Sequence, residues 1–185
     1  MDHGYEKCWD FRLLEWYVVN KLGLANPSGN TMDVRLATLG TPGAFLGEKP
    51  LPALPGRPIS FGLLVYLGVE GEVTRDRLVG LFWPESSQER ARHTLSQTLY
   101  ELRQELGEGW IESSGNMVRT TESLKVDVRE FEVLASQDLP EEALELYQGH
   151  FLDGVHLAQT HAFEDWVGGV RARLSRRHRA VADAF

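Results

Sequence analysis

The 185-residue sequence holds a single cysteine, Cys8. No disulfide framework and no multi-cysteine zinc site can therefore form within the chain. There is no run of about 18 or more apolar residues, the length that a membrane-spanning helix requires. The N-terminal apolar patch, Leu13-Leu14 and Trp16 to Val19, is interrupted or closed by Arg12, Glu15 and Asn20. It is too short for the apolar core of a secretory signal. Positive charge is also in deficit: 19 Lys and Arg stand against 27 Asp and Glu, a net charge of −8. Nucleic-acid binders usually carry a basic footprint, so any such surface here must be local. The phosphate-binding glycine loop, the HExxH helix and the nucleophile elbow are all missing. Gly40-Thr-Pro-Gly43 is only a turn. His150, His156 and His161 lie near Asp153, but their spacings match no helical ligand pair. These absences argue against an enzyme, a cofactor, a metal site and a membrane span, and they fit a soluble cytoplasmic protein.

What is present is an ordinary globular composition, 42% hydrophobic and 25% charged. Such a chain buries a core without covalent staples. Residues 1–31 form an extension, expected as a leader or a disordered stretch ahead of the alternative, a docking helix. The turn-rich run Gly23 to Asn30 separates it from Met32, the expected natural start of the folded unit. The remainder divides into 32–125 and 126–185. Val34 to Leu39 alternates as a strand, and Ala44 to Leu46 and Lys49 to Ala53 read as two more. Pro50 and Pro52 demote the last to an edge. Pro58 opens a helix with a Phe61, Leu64, Leu67 stripe, ended by Gly68 to Gly71. Thr74 caps a short helix through Phe82, and Trp83-Pro84 stops it. Ser86 or Ser87 caps a longer helix to Leu106, followed by a hairpin turning at Ser114-Gly115-Asn116. Leu124 to Val126 is β-prone and available for pairing. Helices are expected at 128–135, 140–147 and about 162–184. The fold class is α+β: a winged helix-turn-helix with an N-terminal antiparallel sheet, then a truncated all-α segment.

The functional pattern lies in the longer helix. Ala91, Leu95, Leu99, Leu102 and Leu106 define one narrow apolar face. The opposite face is then free to enter a DNA major groove, which admits one helix. It carries Arg92, His93, Ser96, Gln97, Tyr100, Glu101 and Arg103. Glutamine bonds adenine and arginine bonds guanine in bidentate fashion. Arg90 and Arg92, near the helix N-terminus, suit phosphates, and Asn116 and Arg119 on the hairpin suit the backbone or minor groove. Each has an ordinary structural alternative. Arg119, for instance, is placed to pair with Glu112 across the hairpin. Acidic residues slightly outnumber basic ones between Thr74 and Thr121.

Leu81-Phe-Trp-Pro-Glu85 and the run Ala91 to Gly107 resemble the DNA-binding domain of SARP-type activators, the antibiotic regulatory protein family. The shared pattern falls on Ala91, Arg92, Leu95, Leu99, Leu102, Arg103, Leu106 and Gly107. Val126 to Phe131, Ala143 to Gly154 and Phe163 to Trp166 resemble the link into that family's bacterial transcriptional activator domain, a tetratricopeptide-like helical module. The likeness spans about 33–185. It implies double-stranded DNA and RNA polymerase holoenzyme as partners, activation of transcription, and homodimers on direct repeats. With only the start of the helical module present, the side of the last helix bearing Trp166, Val167, Val170 and Leu174 would need a covering partner. The basic run Arg171 to Arg179 is expected as a solvated face, pairing with Glu164 or Asp165 at helical spacing, ahead of the alternative of a second DNA-contacting patch. The acidic balance supports a second reading, a protein-interaction module that has lost strong DNA affinity.

Overall fold

The computed structural model describes residues 33–137, 139–157 and 160–184. The expected 1–31 extension lies outside them. Strand β1 (Val34–Ala37) follows from the alternation: Val34 and Leu36 are buried, and Arg35 and Ala37 are half-buried. Strand β2 (Gly43–Leu46) returns antiparallel to it, with Val34 opposite Leu46. Strand β3 (Lys49–Pro50) is a two-residue edge. It stops earlier than expected because Pro50 and Pro52 offer no N–H to a ladder.

The N-terminal sheet is mixed rather than purely antiparallel. Strand β7 (Leu124–Val126) lies parallel to β1, Val34 beside Leu124 and Leu36 beside Val126, giving the order β3-β2-β1-β7. Parallel neighbours need a long crossover. The whole helix-and-hairpin region supplies it.

Within that crossover, helix α1 (Pro58–Glu70) carries proline in its first turn. In place of the expected single apolar stripe, every residue from Phe61 to Gly68 is buried. A helix enclosed on all sides is a core element. Gly68 lies inside the helix, and Gly71, at φ 82°, terminates it. Gly68 permits close approach to β7: a Cβ there would stand 2.3 Å from Cγ2 of Val126.

Next come strand β4 (Glu72–Thr74), helix α2 (Arg75–Phe82) and helix α3 (Gln88–Leu106). Thr74 caps α2, its hydroxyl accepting the Arg77 N–H at 3.1 Å. Strands β5 (Ile111–Ser114) and β6 (Met117–Thr120) form the hairpin, with Gly115 at φ 56° in its turn. The unforeseen β4 pairs with β6, so the hairpin belongs to a three-stranded sheet, β4-β6-β5.

Helices α4 (Asp127–Ser136), α5 (Pro140–Leu146) and α6 (His161–Ala184) complete the described chain. Helix α6 runs unbroken through the exposed Gly168-Gly169 pair. Its apolar side does not await an outside partner. Phe163, Val167, Val170 and Leu174 are buried within the chain, and Trp166 is half-buried. Phe163 packs on Phe82 at 5.2 Å between ring centroids, and Trp166 packs edge-on to Tyr66 at 4.7 Å. The Trp166 indole donates to the Glu70 carboxylate at 2.7 Å. The α6 arginines also differ from expectation. Arg171 donates to the carbonyls of Phe151 and Leu152, Arg173 to Glu132 and Arg177 to the carbonyl of Ala135. They reach other elements, whereas Glu164 accepts the Leu157 N–H at 3.0 Å.

Candidate nucleic-acid interface

The site is built on α3. Ala91, Leu95, Leu99, Leu102 and Leu106 are all buried, so the helix is seated along the face that its leucines mark. That seating leaves Arg90, Arg92, His93, Ser96, Gln97 and Tyr100 exposed. Tyr100 is the most open of the large hydrophobic side chains on this face, 61% exposed. Arg103 is half-buried and turns toward the hairpin.

The outward residues fall into two groups. The side chains of Arg90, His93 and Tyr100 have no hydrogen-bond or ion-pair partner among the described residues. The others are engaged. Arg92 donates to Oδ1 of Asp76 at 2.7 Å, and Asn116 donates to Oδ2 of the same carboxylate at 3.0 Å. The Ser96 hydroxyl donates to the Arg92 carbonyl at 2.9 Å and accepts from Arg75 at 3.4 Å. Gln97 donates to Glu101 at 3.1 Å. Arg103 donates to the Ser113 hydroxyl on β5 at 3.2 Å and lies 4.0 Å from Glu108. Arg119 pairs with Glu112, and the register also sets it opposite Glu72 on β4.

Two ionisation shifts follow from these pairings. The Arg92 hydrogen bond, then that of Asn116, holds the Asp76 carboxyl below the usual carboxylate range. The Glu112 carboxylate raises Arg119 above the ordinary arginine value. The local field is therefore mixed: several cations already face a carboxylate, and the unpaired donors gather on the outer side of α3.

Sequence reasoning missed Asp76 and Arg75. Asp76 brings Arg92 and Asn116 together across 16 and 40 residues of chain. No local signal marks that role, since an acid in a helix first turn is common for dipole reasons alone. Of the histidines weighed as metal ligands, His156 lies 4.0 Å from the Glu164 carboxylate. No group of three His, Cys, Asp or Glu among the described residues is placed to hold a metal. No described helix is long and apolar enough to cross a membrane.

No family model matches the sequence, nor does any curated protein. Among solved structures, the chain is similar in fold to Mycobacterium tuberculosis EmbR in complex with a low-affinity phosphopeptide. The TM-score is 0.60 at 18% identity, over 82% of this chain and 45% of that one. The chain thus spans less than half the length of that structure, and the likeness is one of fold.

Proposed function

We propose that this chain is a sequence-specific double-stranded DNA-binding regulator of transcription, an activator of SARP type. Residues 32–125 would be the DNA-binding unit, and 126–185 the start of the helical activator domain. The observation that carries the reading is the two-faced α3: a fully buried leucine face opposite exposed His93, Gln97 and Tyr100. Beside it stands a hairpin whose tip reaches the helix region through Asn116. The fold likeness to EmbR and the Ala91 to Gly107 motif both favour this use of the architecture.

In this reading α3 lies in the major groove. Gln97 and Tyr100 face base edges, with Arg92 and Arg103 contributing donors, since base contacts carry the sequence information. Arg90 takes phosphate near the helix N-terminus, and Asn116 and Arg119 lie along the backbone or minor groove. The turn after Trp83 shapes contact with RNA polymerase holoenzyme or with phosphates, and a homodimer on direct repeats adds a second reading head. The chain works in the cytoplasm.

Selecting bound duplexes from a random pool tests the proposal, with affinity then measured across a salt series. A DNA reader enriches a motif and loses affinity steeply with salt. Charge reversal at Arg92 and Arg103 abolishes that binding. No enrichment and no binding at low salt would sink it. The second reading, a protein-interaction module, draws on the net charge of −8 and on the pairing of Arg92 and Arg119 with carboxylates. It expects that failure.

A further inference from the structure

We propose that Asp76 is a positioning residue for specificity, joining α3 to the hairpin tip so that Arg92 and Asn116 meet DNA as one preset unit. The inference rests on the DNA-binding reading above. Its basis is a three-way junction. One oxygen of Asp76 accepts from Arg92 on α3 at 2.7 Å, and the other accepts from Asn116 in the hairpin turn at 3.0 Å. The neighbouring Arg75 backbone N–H donates to the Asn116 carbonyl at 2.7 Å, and Thr74 pairs with Met117 on β6. The hairpin tip is thus tied to the start of α2 by main chain and side chain. Asp76 extends that tie to α3.

The chemistry suits a support rather than a neutralised bystander. A guanidinium has five N–H donors in a rigid fork. Arg92 spends one nitrogen on Asp76, and its side chain is 51% exposed. The remaining donors stay available, and the Asp76 contact limits the directions that the rigid fork can take. Both oxygens of Asp76 are used, and the two hydrogen bonds favour its ionised form. A fixed carboxylate beside Arg92 also repels a phosphate that approaches it without the right base. Orientation and repulsion act in the same sense: they weaken indiscriminate binding more than matched binding.

An exposed ion pair with no such role is the competing account, since surface pairs contribute little on their own. The test uses the full chain, a duplex selected from a random pool and a scrambled duplex of equal length. Affinities are measured over a salt series for wild type, Asp76→Ala, Asp76→Asn, Arg92→Ala and the Asp76→Ala/Arg92→Ala pair. In Asp76→Ala, affinity for the scrambled duplex should rise. Its log–log salt slope should steepen by about one, the equivalent of one further phosphate contact. The ratio of selected to scrambled affinity should fall about tenfold, on the scale of one base-directed arginine. Asp76→Asn should fall between, keeping a neutral acceptor. In the Arg92→Ala background, removing Asp76 should leave the ratio unchanged, because the support has nothing left to position. An unchanged ratio in Asp76→Ala overturns the inference alone. So does an equal change in both backgrounds, which would mark a general charge effect. Failure of wild type to bind either duplex overturns the DNA-binding reading and this inference with it.

Discussion

At the residue scale, Asp127 ties the start of α4 to the backbone just after β1. Its carboxylate accepts the backbone N–H groups of Thr38 at 2.6 Å and Leu39 at 2.8 Å, and also the Thr38 hydroxyl. Those partners lie 88–89 residues away in the chain. Local pattern predicts a helix from Val128 but not what the carboxylate just before it holds. The carboxyl is enclosed although the residue keeps some exposure. Burial pushes its pKa up, against the pull of the hydrogen bonds from Thr38. Burial and then the charge of Asp127 push Glu130 up as well, and Glu130 Oε1 has no hydrogen-bond partner among the described residues. For both, the folded state keeps its proton to a higher pH than the unfolded chain. Their contribution to stability is therefore full below the ordinary carboxylate range and is lost as pH rises through the raised folded values. Urea unfolding at several pH values should show this decline, and Asp127→Asn should flatten it by removing one titration. Asp127→Ala should cost roughly 3 kcal/mol, because two buried amide donors lose their acceptor. A loss below about 1 kcal/mol, no more than an ordinary hydrogen bond, would contradict the role.

At the scale of single elements, legibility depended on whether the signal was local. The Thr74 cap, the leucine face of α3 and the Gly115-Asn116 turn were readable because each is written within a few residues. Strand β4, three residues long, carries too little alternation to declare itself, and it exists because β6 pairs with it. The site residues divide in the same way. The outward set on α3 followed from period alone, whereas the Asp76 junction depends on tertiary contact. The glycines of the helices offer a paired experiment on one substitution type. Gly68→Ala should destabilise by about 1–3 kcal/mol despite alanine's helix propensity, since the added methyl meets the short, packed side chain of Val126. Gly168→Ala should instead stabilise by up to about 1 kcal/mol, because a Cβ there meets nothing within 4 Å on an exposed helix face. Thermal melts of the two variants moving in the same direction would refute this account of the packing.

For the molecule as a whole, the described residues make one compact unit in which early and late segments interlock. Besides β1–β7, Leu39 bridges to Phe151, Phe163 packs on Phe82 and Trp166 packs on Tyr66. This interlocking explains why the apolar side of α6, which by sequence pattern alone lacked a cover, finds one inside the chain. Phe163→Ala should cost about 3–5 kcal/mol, typical of an enclosed phenylalanine. Because Phe163 touches the helix before α3, far-UV and near-UV signals should still melt together. A separate, earlier transition for the α6 region would show that the interlock is not cooperative.

The parallel pairing of β1 with β7 also has a consequence for synthesis on the ribosome. The tie between Asp33 and Lys125 spans 92 residues. At about 5–20 residues per second, β1 emerges roughly 5–20 s before its second neighbour exists. Throughout that interval the nascent sheet has an open edge at β1, with unpaired N–H and C=O groups. On a polysome, the β7 made by a preceding ribosome is the nearest rival for that edge.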